Sequence, residues 1–310
     1  MKSSLVGCTG FVGSNLAHSH EFTHQYNTKN IEQAFGTKPD LLVYSGVPAE
    51  MFLANKDPDK DRAVCENAAD NIRKINPKRL VLISTIAVLD NPVCADEDSA
   101  INESKLTAYG LNRLTLEHAV AEIIPKCHII RLPALFGQGI KKNFIYDMIN
   151  FFPAMLNKAK YDDLSEREPI ISQNYGLQDS GFYKLTLNSN EHSALKLAFE
   201  RLGFSALNFT DSRAMFQFYN LANLWEHIET AIEYNIPLLH MAAEPLLASE
   251  VYEYVYGRPF VNEISEQPLN YDYRTRYADI FGGANGYIFS KECVLSEIKN
   301  FVEGYKIIVP

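Results

Sequence analysis

The stretch SSLVGCTGFVGSNLA, residues 3–17, limits the fold more than any other part of the chain. A short apolar run stops at Gly7, glycines recur at Gly10 and Gly13, and a segment able to open a helix follows directly. This order describes a buried strand, a tight turn and a helix that must pack closely on the strand it follows. One glycine permits the turn, one lets a ligand come close to the backbone, and one removes the Cβ between helix and strand. The exposed N–H groups at such a helix start attract an anion, above all a pyrophosphate. Thr9, Phe11 and Val12 lie inside the same loop and helix start, so they are candidate contacts together with Gly7, Gly10 and Gly13.

The same rhythm continues for about 140 residues. DLLVYSG, RLVLIST and CHIIRLPALFG read as continuous apolar strands, and RAVCENAADNIRKI and SKLTAYGLNRLTLEHAVAEII read as helices between them. In the first helix the expected apolar stripe is Ala63, Val64, Ala68, Ile72 and Ile75. Continuously apolar strands alternating with helices predict a parallel sheet covered on both faces. After residue 140 the alternation breaks. We expect a dinucleotide-binding domain over 1–140 that also receives 216–240, and a smaller C-terminal lobe from 141–215 and 241–310.

The chain has 310 residues and a formal charge of −9, which argues against non-specific nucleic-acid binding. The five cysteines are an odd, widely spaced set without a C-x-x-C pair, so neither a disulfide framework nor a zinc site is expected. His18, His20 and His24 are read as loop residues, and no metal is expected. The sequence has no apolar run long enough to span a bilayer and no signal-peptide pattern, so the expected location is cytoplasmic.

Taken together, these segments resemble the extended short-chain dehydrogenase/reductases, a group of NAD(P)-dependent epimerases, dehydratases and reductases acting on nucleotide sugars. The Gly7/Gly10/Gly13 loop is similar to the family's cofactor fingerprint. KPDLLVYSG resembles the strand that ends beside the cofactor, RLVLIST the strand carrying a catalytic Ser/Thr, and IIRLPALFGQG the segment after a later strand. The resemblance implies a Rossmann-like doubly wound α/β fold with a substrate-binding lobe. It implies Thr85, Tyr109 and Arg113 as the catalytic set, with Ser45, Gly46, Ser84, Tyr109, Arg113 and Leu132 along the cofactor. Asn143 and Arg213 are its candidates on the nucleotide-sugar side. It also admits a homodimer.

Two departures carry information. Where the family has Tyr-x-x-x-Lys, this chain has Tyr109 and Arg113. A guanidinium keeps the charge but not the compact ammonium that stabilises tyrosinate and reaches the ribose. After Thr85 come Ile86 and Ala87, which cannot move protons, where the family's dehydratases carry an Asp-Glu pair. A 4-ketoreductase or an epimerase is therefore expected, and a non-catalytic NAD(P)-binding regulatory or scaffold protein is the alternative. No acid ends the second strand, while Lys29 follows it and could pair with a 2′-phosphate. NADP is the expected cofactor, with NAD as the alternative.

Overall fold

A computed structural model describes residues 2–186 and 191–308. The first strands are β1 (Ser3–Val6), β2 (His24–Tyr26), β3 (Leu41–Tyr44), β4 (Leu80–Thr85) and β5 (Cys127–Leu132). With Leu238–His240 they form a six-stranded sheet in the order Leu238–His240, β5, β4, β3, β1, β2, and every pairing is parallel. Helices α1 (Phe11–Ser19), α2 (Met51–Lys56), α3 (Pro58–Ile75) and α4 (Ala108–Ile123) lie between the strands in sequence. The doubly wound α/β fold is thus the observed architecture. The strand order reverses between β1 and β3, the switch point where open α/β sheets place ligands.

Both faces of the sheet are buried, which explains the continuous apolar runs. Leu41 and Val43 pack with Leu5, Val81, Ile130, Trp225 and Ile228 on one side. Leu42 and Tyr44 pack with Val6, Leu80, Leu82, Ile72 and Val120 on the other.

Local chemistry sets the helix ends. Asp57 caps α3 by accepting from the Lys60 N–H at 3.2 Å, Pro58 opens the helix, and Asn76 ends it in a left-handed conformation. The buried side of α3 runs through Cys65, Ala68, Ala69, Ile72 and Ile75. Ala63 is exposed and Val64 half-buried, so the stripe is rotated from the one expected. The link from β2 to β3 is a single 3-10 turn, Ile31–Ala34, in place of a crossover helix.

The chain divides into two compact units. The first comprises Met1–Gly139, Met215–Leu246 and Asn270–Glu297; the second comprises Ile140–Ala214, Leu247–Leu269 and Ile298–Pro310. The sequence reading gave all of 241–310 to the lobe, whereas 241–246 and 270–297 go with the first unit. Hydrogen bonds explain this: the buried Gln217 amide donates to Ala243 O at 2.6 Å and Tyr273 O at 2.8 Å, and Ala242 O accepts from the Ile288 N–H at 2.7 Å.

The second unit begins with α5 (Phe144–Ile149) and holds a small antiparallel sheet of Met155–Leu156, Tyr183–Leu185 and Tyr175–Leu177. Its core gathers Phe152, Leu156, Leu164, Ile171, Tyr175, Leu195 and Phe199. The acidic stretch YDDLSER lies in a helix, Lys158–Arg167, that buries Leu164. Among the described residues, no helix is long and apolar enough to cross a membrane.

Candidate active site

The glycine loop lies at the switch point. Gly7 has φ +90°, and its N–H donates to Tyr26 O at 2.8 Å, which ties the loop to the end of β2. A Cβ on Gly7 would lie 2.5 Å from Ser45 O, and one on Gly13 would overlap Gly7 O. These two glycines let β1, β3 and α1 meet. Gly10 differs: a Cβ there would meet only Gly7 O, at 3.3 Å, so its other side is open. It caps α1 without a side-chain hydrogen bond, and the first turn carries no acid. Phe11, Val12 and Gly13 thus place their N–H groups at a positive helix end with open space at Gly10. This cradle fits a pyrophosphate. Thr9 is exposed on the same loop. Ser45 donates from both N–H (2.9 Å) and Oγ (3.0 Å) to Val6 O, which holds Ser45 and Gly46 against the loop. Lys29 lies exposed just after β2, in a turn where its N–H bonds Asn27 Oδ1 at 2.9 Å.

Tyr109 and Thr85 are brought together. Thr85 ends β4, where its hydroxyl accepts from the Ala87 N–H at 3.2 Å and acts on the Tyr109 side chain as a hydrogen-bonding neighbour. Thr107 caps α4 by accepting from the Gly110 N–H at 3.3 Å, and Asn55 of α2 accepts from the Tyr109 N–H at 2.9 Å. The residue that permits this approach is Gly110, whose Cβ, if present, would overlap Ala87 O. Sequence reasoning missed it, although TAYG carries the signal: a glycine in the first turn of a helix usually has a packing reason. Leu132 is the register partner of Thr85 on the next strand and is buried.

The neighbouring hydroxyl faces elsewhere. Ser84 Oγ donates to Glu117, whose carboxylate accepts from Arg131 Nε at 3.1 Å and from Nη2 at 2.6 Å. Arg131 Nη1 lies 3.2 Å from His240 Nε2, and His240 Nδ1 lies 3.0 Å from Arg274 O. Burial and the neighbouring Arg131 charge push the His240 imidazole down to about 4, so it stays neutral. This buried chain ties α4 to β4, β5 and the strand Leu238–His240.

Arg113 is only 4% exposed. Its Nη1 pairs with Asp61 of α3, its Nη2 donates to Pro48 O at 2.7 Å, and its guanidinium lies 3.9 Å above the centre of the Tyr109 ring. Asn112 also donates to Asp61, at 2.8 Å. The Tyr109 hydroxyl is pushed above its ordinary value by burial; the Arg113 charge and the Thr85 hydrogen bond pull the other way, and Asp61 and Glu50 raise it further. Asp61 was not foreseen, although it lies one helical step before Cys65, Ala68 and Ile72 on the buried stripe of α3.

The remaining candidates lie in the second unit. Asn143, with φ +94°, caps α5 by accepting from the Ile145 N–H at 3.0 Å and the Tyr146 N–H at 3.2 Å. Arg213 grips Asp211 through Nε (3.0 Å) and Nη2 (2.9 Å), reaches Ser265 O at 2.7 Å and pairs with Glu263 at 3.0 Å. Of the three histidines read as loop residues, His18 lies in α1 and His24 opens β2; His20 lies between them and stacks on Trp225 with ring centres 3.7 Å apart.

Comparison with known proteins agrees with this fold. A comparison with curated protein sequences gives no match. Among solved structures, the dTDP-4-dehydrorhamnose reductase of Bacillus anthracis, in complex with NADP, aligns with a TM-score of 0.64 at 16% identity, over 98% of this chain and 99% of that one. The Bordetella bronchiseptica enzyme WbmG, in complex with NAD and UDP, aligns at 0.63 and 14%, over 98% and 94%. The UDP-glucose 4-epimerase of Thermotoga maritima, with UDP-glucose, aligns at 0.59 and 9%, over the whole of both chains. At these identities the likeness speaks for the fold. The sequence model of the RmlD substrate binding domain matches residues 1–160, slightly more than half the chain. With its glycine loop, its parallel sheet and its Thr85–Tyr109 pair, the chain belongs to the RmlD substrate-binding-domain family, within the extended short-chain dehydrogenase/reductases.

Proposed function

We propose that the protein is an NAD(P)-dependent oxidoreductase acting on the keto group of a nucleotide-activated sugar, as a 4-ketoreductase or an epimerase. The observation that carries this reading is the Thr85–Tyr109 hydroxyl pair, positioned at the end of β4 in a sheet whose switch point holds an open glycine cradle. The NADP of the Bacillus anthracis reductase and the NAD of WbmG support a dinucleotide here. A bound nicotinamide cofactor would supply the hydride chemistry. The chain's own residues do the rest. The N–H groups of Phe11, Val12 and Gly13 hold the pyrophosphate, and Ser45 and Gly46 line its path. Lys29 meets a 2′-phosphate, which favours NADP. Thr85 and Tyr109 hold the substrate oxygen, and Tyr109 moves the proton. Ile86 and Ala87 form an apolar turn after Thr85, so water elimination has no acid or base there. Asn143 and Arg213 enter this reading as residues that shape the second unit.

The Arg113–Asp61 pair favours one other reading, a dinucleotide-binding protein without turnover, because the cation that should serve Tyr109 is already paired. Purified protein separates the two. NADPH binding is followed by fluorescence and turnover at 340 nm with a panel of 4-keto nucleotide sugars. Turnover that falls roughly 10²- to 10⁴-fold in Tyr109→Phe supports the enzyme. Tight NADPH binding with no turnover, unchanged in Tyr109→Phe, supports the second reading.

A further inference from the structure

The Tyr-x-x-x-Lys arrangement works because an uncompensated ammonium one turn along the helix favours tyrosinate. Here the equivalent cation is neither free nor pointed at the phenolic oxygen. The guanidinium lies over the face of the Tyr109 ring, with Asp61 at one edge and Pro48 O at the other. The Arg113 and Asp61 side chains are only 5% and 10% exposed, so water screens their attraction little. Asn112 fixes the Asp61 carboxylate from the same helix, donating also to Pro58 O at 3.2 Å. Seen from the phenol, the negative charge of Asp61 offsets part of the larger effect of Arg113. The other groups facing Tyr109 are the Thr85 hydroxyl from β4, Glu50 ahead of α2, and Asn55, which holds the Tyr109 backbone. None of them is a cation.

We propose that Asp61 is a positioning residue that holds the Arg113 guanidinium over the Tyr109 ring and offsets part of its charge, so that Tyr109 rests as a phenol and the site is set for carbonyl reduction. The inference rests on the reading of Tyr109 as the proton-moving group and adds the direction of the reaction. In reduction, a bound reduced nicotinamide dinucleotide would supply a hydride to the carbonyl carbon and be oxidised in doing so. The C=O π pair moves to oxygen, the Tyr109 O–H bond breaks, and its proton passes to that oxygen. Water reprotonates the phenolate. Alcohol oxidation, the first half of an epimerase cycle, must start from tyrosinate, which this arrangement keeps scarce at neutral pH.

The test is a titration of cofactor-free protein labelled with ¹³Cζ-tyrosine, with the Tyr109 signal assigned by its loss in Tyr109→Phe. In the wild type, Tyr109 should not ionise below the ordinary phenol range near ~10. Asp61→Asn should increase the tyrosinate population at a given pH by about tenfold or more, one unit of titration. Asp61→Glu should return the signal toward the wild type. If Asp61→Asn does not fold, Asp61→Asn/Arg113→Gln removes both charges and should titrate at or above the wild type. An unmoved or upward-shifted Tyr109 in Asp61→Asn, or a downward shift in the double variant, overturns the proposal. A Tyr109 that shifts as expected in a protein that reduces no ketosugar leaves the electrostatic inference standing and removes the enzyme reading.

Discussion

Replacing Gly110 with alanine sets two known effects against each other, and the sign of the result is decisive. By helix propensity alone, Gly→Ala stabilises a helix interior by up to about 1 kcal/mol. At this position the new Cβ would overlap the backbone oxygen of Ala87, well inside the 3.0 Å that real Cβ atoms respect, with Ala87 C next at 3.2 Å. The obstacle is backbone, so no side chain can rotate away. The start of α4 must draw back from the turn after β4 by roughly 1 Å, a strain of the kind that costs about 1–3 kcal/mol. Overpacking should therefore win, lowering the melting temperature of the first unit by about 2–10 °C in a thermal scan followed by circular dichroism. Tyr109 is the adjacent residue, and a displacement of that size at a reacting group costs about 10²-fold in rate. Ketosugar reduction should fall by that factor while NADPH affinity, set by the distant glycine loop, holds. Gly304→Ala is the control: nothing lies within 4 Å of its Cβ position, so only propensity acts and stability should hold or rise. A Gly110→Ala protein as stable as the wild type would refute the claim that this glycine exists for close approach.

Three further outcomes are expected. Glu117→Gln leaves the buried Arg131 without its counter-charge and should destabilise the first unit by about 3–5 kcal/mol in urea denaturation, more than Ser84→Ala, which removes only one donor to the same carboxylate. Lys29→Glu should weaken NADPH binding roughly 3- to 10-fold or more while leaving NADH nearly unchanged; an equal loss for both would remove the 2′-phosphate role. Asp147 lines a cavity of about 750 Å³ in the second unit with Lys196, Tyr252, Arg258 and Phe260, and burial pushes its carboxyl up to about 7. Because the folded state holds this proton more tightly than the unfolded one, stability falls as pH rises from about 4 to 7. Asp147→Asn should therefore stabilise the protein by about 2–4 kcal/mol at pH 8 and by almost nothing at pH 4, seen as a melting difference present at the higher pH only.

What could be read from sequence was local or periodic. The spacing of Gly7, Gly10 and Gly13 after an apolar run marks the switch-point turn, because each glycine answers to the strand and helix beside it. Strands buried on both faces give uninterrupted apolar runs, which fixed the parallel sheet before its order was known. The Thr85–Tyr109 pairing came through resemblance, and the structure adds the reason it closes, the missing Cβ at Gly110. The partners of Arg113 were hidden because Asp61 is 52 residues away, in a helix start that also carries Asp57 and Asp59. Only the phase of the buried stripe, 61, 65, 68 and 72, distinguishes the acid that turns inward. Arg213 shows the same limit: its partners Glu263 and Ser265 arrive from some fifty residues downstream. The return of 270–297 to the first unit depends on backbone hydrogen bonds that no pattern of side chains announces.

The pairing of β5 with Leu238–His240 also sets a timetable for synthesis on the ribosome. The edge of β5 is complete once Leu132 has emerged, but the strand that covers it is made about 100 residues later, after most of the second unit. At about 5–20 residues per second, that edge waits roughly 5–20 s with its hydrogen-bonding groups open. The same edge carries Arg131, whose charge is matched by Glu117 from the start but whose imidazole neighbour, His240, arrives with the late strand. A fragment ending near residue 160 would keep the glycine loop, Thr85 and Tyr109 and still present an unfinished sheet edge to its neighbours.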